Sequence, residues 1–352
     1  MSKFWSSTVR KTKPYVPGEQ PKETDVIKLN TNENPYPPSP KALEAMQNEI
    51  GDDLRKYPSP TVDTLKNVIA NREGVAPKNV FVGNGSDEVL AFAFQAFFEH
   101  NEAIKFPDIT YSFYPVYAKL YDIPYQTVPL NDDFSINVDG MCNSIGGVIF
   151  PNPNAPTGLA LSLNDIEKVI QGNPNQVVII DEAYVAFGAE TAAPLTKKYP
   201  NVLITRTLSK SHALAGIRLG YAIGSPELIE GLERIKNSFN SYTINRVTLA
   251  GAEAALQDDG YYSEVIERVV NTREWTRYEL QQKGFEVLPS SANFLFCKPT
   301  EIQARELYEK LKNSKIYIRY FDNLEDYIRI SIGTEEEMQA LVDHIKQKVS
   351  AK

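Results

Sequence analysis

Cysteine is nearly absent from this chain of 352 residues, and the two present, Cys142 and Cys297, stand far apart. That spacing excludes a disulfide framework and a cysteine-built metal site, and it fits a reducing compartment. Histidine is as scarce: His100, His212 and His344 are scattered, so no metal is expected, and His212 reads as a pocket wall. Long apolar runs are missing too. No segment approaches the ~20 apolar residues that span a bilayer, and Met1 to Arg10 lacks the apolar core of a signal peptide. A soluble, cytoplasmic protein is therefore expected. Positive charge is not in excess, since 37 Lys and Arg face 45 Asp and Glu for a net charge of −8. That balance argues against nucleic acid as the main partner. What is plentiful is apolar residue, 42% of the chain, enough for one large α/β domain and a smaller one.

The most informative stretch is Thr207-Leu208-Ser209-Lys210, followed eight residues later by Arg218. It gathers an amine, two hydroxyls and a fixed cation between apolar flanks. Such a lysine either covers a surface loop or is a desolvated nucleophile, because burial and nearby cations lower an ammonium pKa. Hydroxyls and an arginine suit a phosphate dianion. Amine plus phosphate cradle is what pyridoxal phosphate requires of a protein.

Upstream, Val177-Val178-Ile179-Ile180 ends in Asp181-Glu182-Ala183-Tyr184. Four β-branched residues halting at a polar turn read as a buried strand of a parallel sheet. Ligands of such sheets sit beyond the carboxyl ends of strands. There Asp181 either pairs with a protonated pyridine nitrogen or caps the next segment. Tyr184 could reach the ring phenolate. The run Val202 to Thr205 leads into the lysine motif, so adjacent strands would bring Asp181 and Lys210 to one edge. A strand, glycine turn and helix start over Val80 to Phe98 read as an anion site at a helix N-terminus, with Gly85 and Asp87 in the turn and Ser86 as cap and ligand. Alone this is weak evidence, because many α/β loops look similar and bind nothing. Tyr111 is either core or a ring-stacking aromatic. The Pro151 to Gly158 double turn carries Asn152 and Asn154, which either address a ring oxygen or close Asx-turns.

The organisation follows the same pattern. Residues 1–29 are polar and proline-punctuated, an arm over the body or a partner. Residues 30–241 alternate short apolar runs with helical stretches such as Asn164 to Gln171, the pattern of a mostly parallel, seven-stranded-type sheet sandwiched by helices. Residues 242–352 read as a smaller α+β domain. Its strands are expected at Phe285–Leu288, Phe294–Cys297, Ile316–Arg319 and Tyr327–Ile332. Glu335-Glu336-Glu337 is expected to open a helix, where the dipole favours acid.

Taken in order, L-N-x-N-E-N-P, Y-P, G-N-G-S-D-E, P-N-A-P-T-G, D-E-A-Y, T-L-S-K-(x)7-R and R-I-S-I-G-T resemble the fold-type I pyridoxal-phosphate aminotransferases, and within them the histidinol-phosphate aminotransferase family. The resemblance runs from about Leu29 to Gly333. It implies that Lys210 carries the cofactor as a Schiff base and shuttles the proton. It also implies that Asp181 keeps the pyridine nitrogen protonated and Tyr184 hydrogen-bonds the phenolate. Gly85, Ser86, Thr207, Ser209 and Arg218 would hold the phosphate, Asp87 would belong to the cofactor site beside them, and Tyr111 would stack on the ring. Tyr57 matches a tyrosine that reaches the phosphate of a neighbouring subunit, which implies a homodimer. Arg329 matches the arginine that binds the substrate carboxylate, while Arg319 and Tyr15 sit at the substrate's phosphate end, with Tyr111 and Tyr114 beside them.

One position departs from the family. Where the turn usually has a second asparagine on the phenolate oxygen, this chain has Ala155, so either Asn154 takes the task or Tyr184 bears it alone. The resemblance implies ping-pong transamination between L-histidinol phosphate and 2-oxoglutarate, with Arg329 serving the carboxylate of one substrate and the phosphate of the other. An aromatic amino-acid aminotransferase, an amino-acid-phosphate decarboxylase of the same fold and a cofactor-binding regulatory module compete with it.

Overall fold

The computed structural model describes residues 2–15 and 17–349. The chain enters through β1 (Ile27–Lys28). It then lays down β2 (Val80–Gly83), β3 (Ile104–Pro107), β4 (Tyr125–Val128), β5 (Val148–Pro151), β6 (Val178–Asp181), β7 (Val202–Thr207) and β8 (Gly220–Gly224). These last seven form one sheet in the order β2-β8-β7-β6-β5-β3-β4, in which only β8 runs against the rest. The expected mostly parallel seven-stranded sheet is thus present.

The reason lies in the strand sequences. β5, β6 and β7 are apolar on consecutive residues, so both faces must be covered. Val178 and Ile180 join the cluster on one face, with the Leu163–Gln171 helix, while Ile179 joins the other, with the Ser86–Phe97 and Pro226–Phe239 helices. All three side chains are fully buried, each contributing about 1.5–3 kcal/mol of apolar transfer. Three of the helices around the sheet start at hydroxyl or amide caps: Ser162 accepts from the Asp165 N–H, Ser225 from Leu228 and Asn245 from Thr248.

The carboxy-terminal segment builds β9 (Phe285–Val287), β10 (Phe294–Pro299), β11 (Ile316–Tyr317), β12 (Arg319–Tyr320) and β13 (Ile328–Ser331). Four of these make an antiparallel sheet in the order β12-β13-β10-β9. The Asp259–Gln282, Ala304–Asn313 and Glu335–Val349 helices cover it through a third cluster around Leu295, Leu307, Ile330 and Leu341. The triple glutamate opens the last helix as expected.

One expected strand is corrected. Ile316 to Arg319 is not continuous: Ile316 and Tyr317 pair in parallel with β1, whereas Arg319 and Tyr320 pair with β13. The end of the amino-terminal arm is thereby stitched to the small sheet. The Arg246–Leu256 helix, on the carboxy-terminal side of residue 241, packs Ala252, Ala255 and Leu256 into the cluster on one face of the large sheet.

Candidate active site

The carboxyl ends of β5, β6 and β7 face a cavity of about 990 Å³, closed on the far side by β12, β13 and the amino-terminal arm. β6 and β7 are register partners, with Asp181 opposite Thr205. Asp181 therefore emerges beside the Thr207–Lys210 turn, and both Asp181 and Lys210 line the cavity. The expectation that neighbouring strands deliver them to one edge holds.

Asp181 is buried, and loss of solvation raises its carboxyl from 3.8 to about 6. Its Oδ2 accepts from the Tyr114 hydroxyl at 3.1 Å and its Oδ1 from the Ala183 N–H at 3.2 Å. Cap and cavity ligand, the two readings of this residue, are therefore compatible. Lys210 Nζ donates to the Thr31 carbonyl at 3.2 Å and lies 5.8 Å from the centre of the Tyr184 ring.

The phosphate-shaped end is built where β2, β8 and the Ser86–Phe97 helix meet. The helix begins at Ser86 with Gly85 as its cap residue and no side-chain cap bond, so Ser86 is a first-turn residue and not the cap expected. Gly85 sits at φ +84°, and a Cβ there would stand 2.6 Å from Arg218 Nη2. Gly220 is tighter, since a Cβ would lie 2.3 Å from the Ser86 amide nitrogen. Two glycines thus let the helix start approach β8 and the arginine. Thr207 Oγ1 and Ser209 Oγ are 2.9 Å apart, and both residues line the cavity with Ser86, Asp87 and Arg218. Asp87 accepts from Arg218 Nη2 at 2.9 Å and from the Tyr111 hydroxyl at 2.8 Å, fixing the arginine and the aromatic together. Burial, then the Asp87 charge, pushes the Tyr111 phenol well above its usual range, so it stays a donor.

At the opposite end Arg329 reaches the Asn30 carbonyl with Nη2 at 3.0 Å. Its Nε is buried without a hydrogen-bond partner among the described residues. A guanidinium with a buried, idle N–H is a waiting site for a carboxylate or phosphate. Its carbon lies 5.3 Å from the Phe294 ring centre and 5.7 Å from that of Phe321. Arg319 lies 5.5 Å from the same Phe321 ring. Tyr15, on the arm, stacks on Phe113 with ring centres 4.2 Å apart and walls the cavity with both arginines.

Several of the expected residues do not line this chain's cavity. Asn154 is fully buried and outside the cavity wall. Its amide donates to the Ile109 carbonyl at 3.0 Å and Thr157 Oγ1 at 3.3 Å, and its Oδ1 accepts from Thr110. Both donors are committed, one to the loop after β3 and one within its own turn, and Ala155 lines the cavity instead. Tyr114 is no substrate wall: it is wholly buried and turned onto Asp181. His212 is buried against Tyr262 with ring centres 4.5 Å apart and does not line the cavity. Tyr57 is 79% exposed, stacked on Tyr242 away from its own chain's cavity. Gly85 shapes the cradle without lining it.

Other residues had no role assigned from sequence. Asn32 and Glu33 line the cavity, and their motif was the only signal. Burial would raise the Glu33 carboxyl, but hydrogen bonds from Lys28 and Thr31 and the charges of Lys28 and Lys210 hold it below its usual value. Phe321, the aromatic shared by two arginines, had no sequence signal at all. Among the described residues no group of three or more His, Cys, Asp or Glu could hold a metal ion, and no helix is long and apolar enough to cross a membrane.

Comparison with known proteins agrees with this arrangement. Residues 24–345 match the family model of aminotransferase class I and II. The chain is 54% identical over 345 residues to histidinol-phosphate aminotransferase 1 of Pseudomonas fluorescens, covering 97% of this chain and 99% of that one. It is 52% identical over 350 residues to histidinol-phosphate aminotransferase 1 of Oceanobacillus iheyensis, covering 98% and 99%. A solved histidinol-phosphate aminotransferase from Sinorhizobium meliloti, in complex with pyridoxal-5'-phosphate, superposes with a TM-score of 0.89 at 25% identity over 99% of this chain and 98% of that one. A lysine and a buried carboxylate on adjacent strands, an anion cradle at one end and arginines at the other are thus carried by a chain that belongs to the class I and II aminotransferase family.

Proposed function

We propose that this protein transfers the amino group of L-histidinol phosphate to 2-oxoglutarate, giving imidazole-acetol phosphate and L-glutamate, with pyridoxal phosphate held by Lys210. The single observation that carries the proposal is the pairing of Lys210 and buried Asp181 across adjacent strand ends, with Arg329 facing them over the cavity. The relatives named histidinol-phosphate aminotransferase, at 52–54% identity over nearly the whole chain, support the choice of substrate.

The residues fit the cofactor. An uncapped helix start, two glycines, two hydroxyls and Arg218 suit its phosphate. When bound, pyridoxal phosphate supplies an electron sink for the pair left by the departing α-proton and stores the amino group between the two substrates. Lys210 Nζ would hold it and then, freed by the incoming amine, would take the α-proton and return it on the far side of the transfer. Asp181 would accept the ring N–H, and its reluctance to ionise when buried is relieved by a cationic partner. Tyr184 would donate to the phenolate oxygen, and Tyr111 would hold one face of the ring. Arg329 would bind the α-carboxylate of glutamate or 2-oxoglutarate and the phosphate of histidinol phosphate with its planar fork, while Arg319 and Tyr15 would line the phosphate and imidazole end of the substrate. Cytoplasmic location and a homodimer, with Tyr57 reaching the neighbouring cradle, belong to the same proposal.

The discriminating experiment is kcat/KM with L-histidinol phosphate against L-phenylalanine, both with 2-oxoglutarate. The expected ratio favours histidinol phosphate by roughly a hundredfold or more, because phenylalanine brings a carboxylate for Arg329 but no phosphate dianion for the paired arginine end of the cavity. Equal or better use of phenylalanine selects the aromatic aminotransferase. Release of carbon dioxide selects a decarboxylase. A Lys210→Ala protein that still turned over substrate would remove the mechanism altogether.

A further inference from the structure

Tyr184 has a companion whose role follows from where the protons must lie. Asn32, 1% exposed and at φ +56°, stands between Tyr184 and Ser331 of β13. Its backbone N–H donates to Ser331 Oγ at 2.9 Å, and that hydroxyl is also 2.9 Å from Asn32 Oδ1. Having accepted the N–H, the Ser331 hydroxyl directs its own proton at the side-chain amide, which must present its oxygen there. The amide nitrogen is thereby turned to Tyr184, 3.0 Å from the phenol oxygen. Tyr184 receives a hydrogen bond from Asn32 and cannot spend its proton on it. The hydroxyl proton is left free to point into the cavity that Tyr184 lines.

We propose that Asn32 is a positioning residue: the Ser331–Asn32–Tyr184 relay fixes the Tyr184 hydroxyl as a hydrogen-bond donor toward the cofactor's phenolate oxygen. This rests on the function proposed above. It also answers the departure at Ala155, where no side-chain donor remains and the Asn154 amide is committed elsewhere. One donor then carries a task commonly shared by two, and its orientation is set from the small sheet. The same stretch ties that sheet's substrate arginine to the site: Arg329 holds the Asn30 carbonyl, the Ser331 N–H donates to the Leu29 carbonyl and Asn293 Nδ2 to that of Asn32.

The test is Asn32→Asp in the holoenzyme, nearly isosteric but able only to accept. Tyr184 would then donate to the new carboxylate and withdraw its proton from the cavity. A hydrogen bond to an anionic oxygen favours the anion, so losing it should raise the pH midpoint at which the cofactor's visible absorption band titrates, by about one to two pH units. Ser331→Ala, which releases the amide to turn over, is expected to shift the midpoint upward by less, and it serves should Asn32→Asp fold poorly. In a Tyr184→Phe background the uncharged Ser331→Ala should add almost nothing. An unmoved midpoint in both single variants, or a full additional shift in the Tyr184→Phe background, overturns the relay. If the wild-type protein forms no visible band with pyridoxal phosphate, the cofactor assignment itself fails and the relay falls with it.

Discussion

Asp181 is a carboxylate kept where its own charge is disfavoured. Its folded-state value of about 6 lies above the 3.8 of an exposed aspartate. The folded state therefore holds the proton more tightly than the unfolded one. The stability this contributes is full below about pH 4 and is lost as pH rises through 6. At neutral pH the cofactor-free protein carries a penalty of up to about 3 kcal/mol. Asp181→Asn, which cannot ionise, should melt higher than wild type at pH 7.5 without cofactor, and the difference should vanish below pH 4. Identical melting at both pH values would contradict a charged, desolvated Asp181. With pyridoxal phosphate bound the order should reverse, because only the carboxylate pairs with a ring cation. Asp181 and Lys210 were legible in sequence because each ends an apolar run, and the ends of parallel strands converge. Asn154 has the chemistry to address a ring oxygen, but its side chain turns away from the cavity. Nothing local in the sequence tells that Ile109 and Thr157 take both its donors. Tyr114 escaped for the same reason, its partner being 67 residues away.

At the scale of elements, the cradle depends on how closely the Ser86–Phe97 helix approaches β8. Gly83 and Gly220 are opposite one another in the β2–β8 pairing, and Gly220 leaves no room for a methyl group against the Ser86 backbone. Gly220→Ala must push the helix start outward, which misplaces the amides and hydroxyls that would hold a phosphate. We expect pyridoxal phosphate affinity to fall at least about tenfold, of the order of losing one charge-assisted hydrogen bond. Equilibrium dialysis or absorbance titration reads it, and an unchanged dissociation constant would contradict this placing of the phosphate. Behind the strand ends, Arg206 pairs with Glu73 at 2.6 Å and Glu182 at 2.9 Å, joining the residue after Asp181 to β7. Strands such as β6 were readable because four consecutive β-branched residues fit a sheet covered on both sides. The stretch at 316–319 read as one strand because periodicity does not reveal a change of partner. That change is a tertiary event, imposed by β1 on one side and β13 on the other.

At the scale of the whole molecule the site is composite. The large sheet supplies Lys210 and Asp181, the small sheet Arg329 and Arg319, and the arm Tyr15. We propose the division into an arm, a large domain and a small domain near residues 29 and 241, with the Arg246–Leu256 helix packed on the large sheet. Several large apolar side chains stand in solvent, among them Ile50, Leu54, Phe239 and the stacked pair Tyr57 and Tyr242. Such exposure marks an interface, and it supports the proposed homodimer. Sedimentation should give twice the 39.5 kDa of one chain, and Tyr57→Phe should weaken cofactor binding without changing that mass. A fully active monomer would exclude the shared site. Sequence could suggest the partner only through the resemblance at Tyr57, because one chain read alone does not reveal which exposed aromatics meet a second copy.

The central claim is that one lysine-bound cofactor passes an amino group from histidinol phosphate to an oxo acid in two separate halves. The most direct measurement mixes cofactor-loaded enzyme with L-histidinol phosphate and no 2-oxoglutarate, then follows the visible band and the product together. One equivalent of imidazole-acetol phosphate per subunit is expected, with loss of the band and its full return on adding 2-oxoglutarate. A band that never changes, or product beyond one equivalent, would contradict the claim.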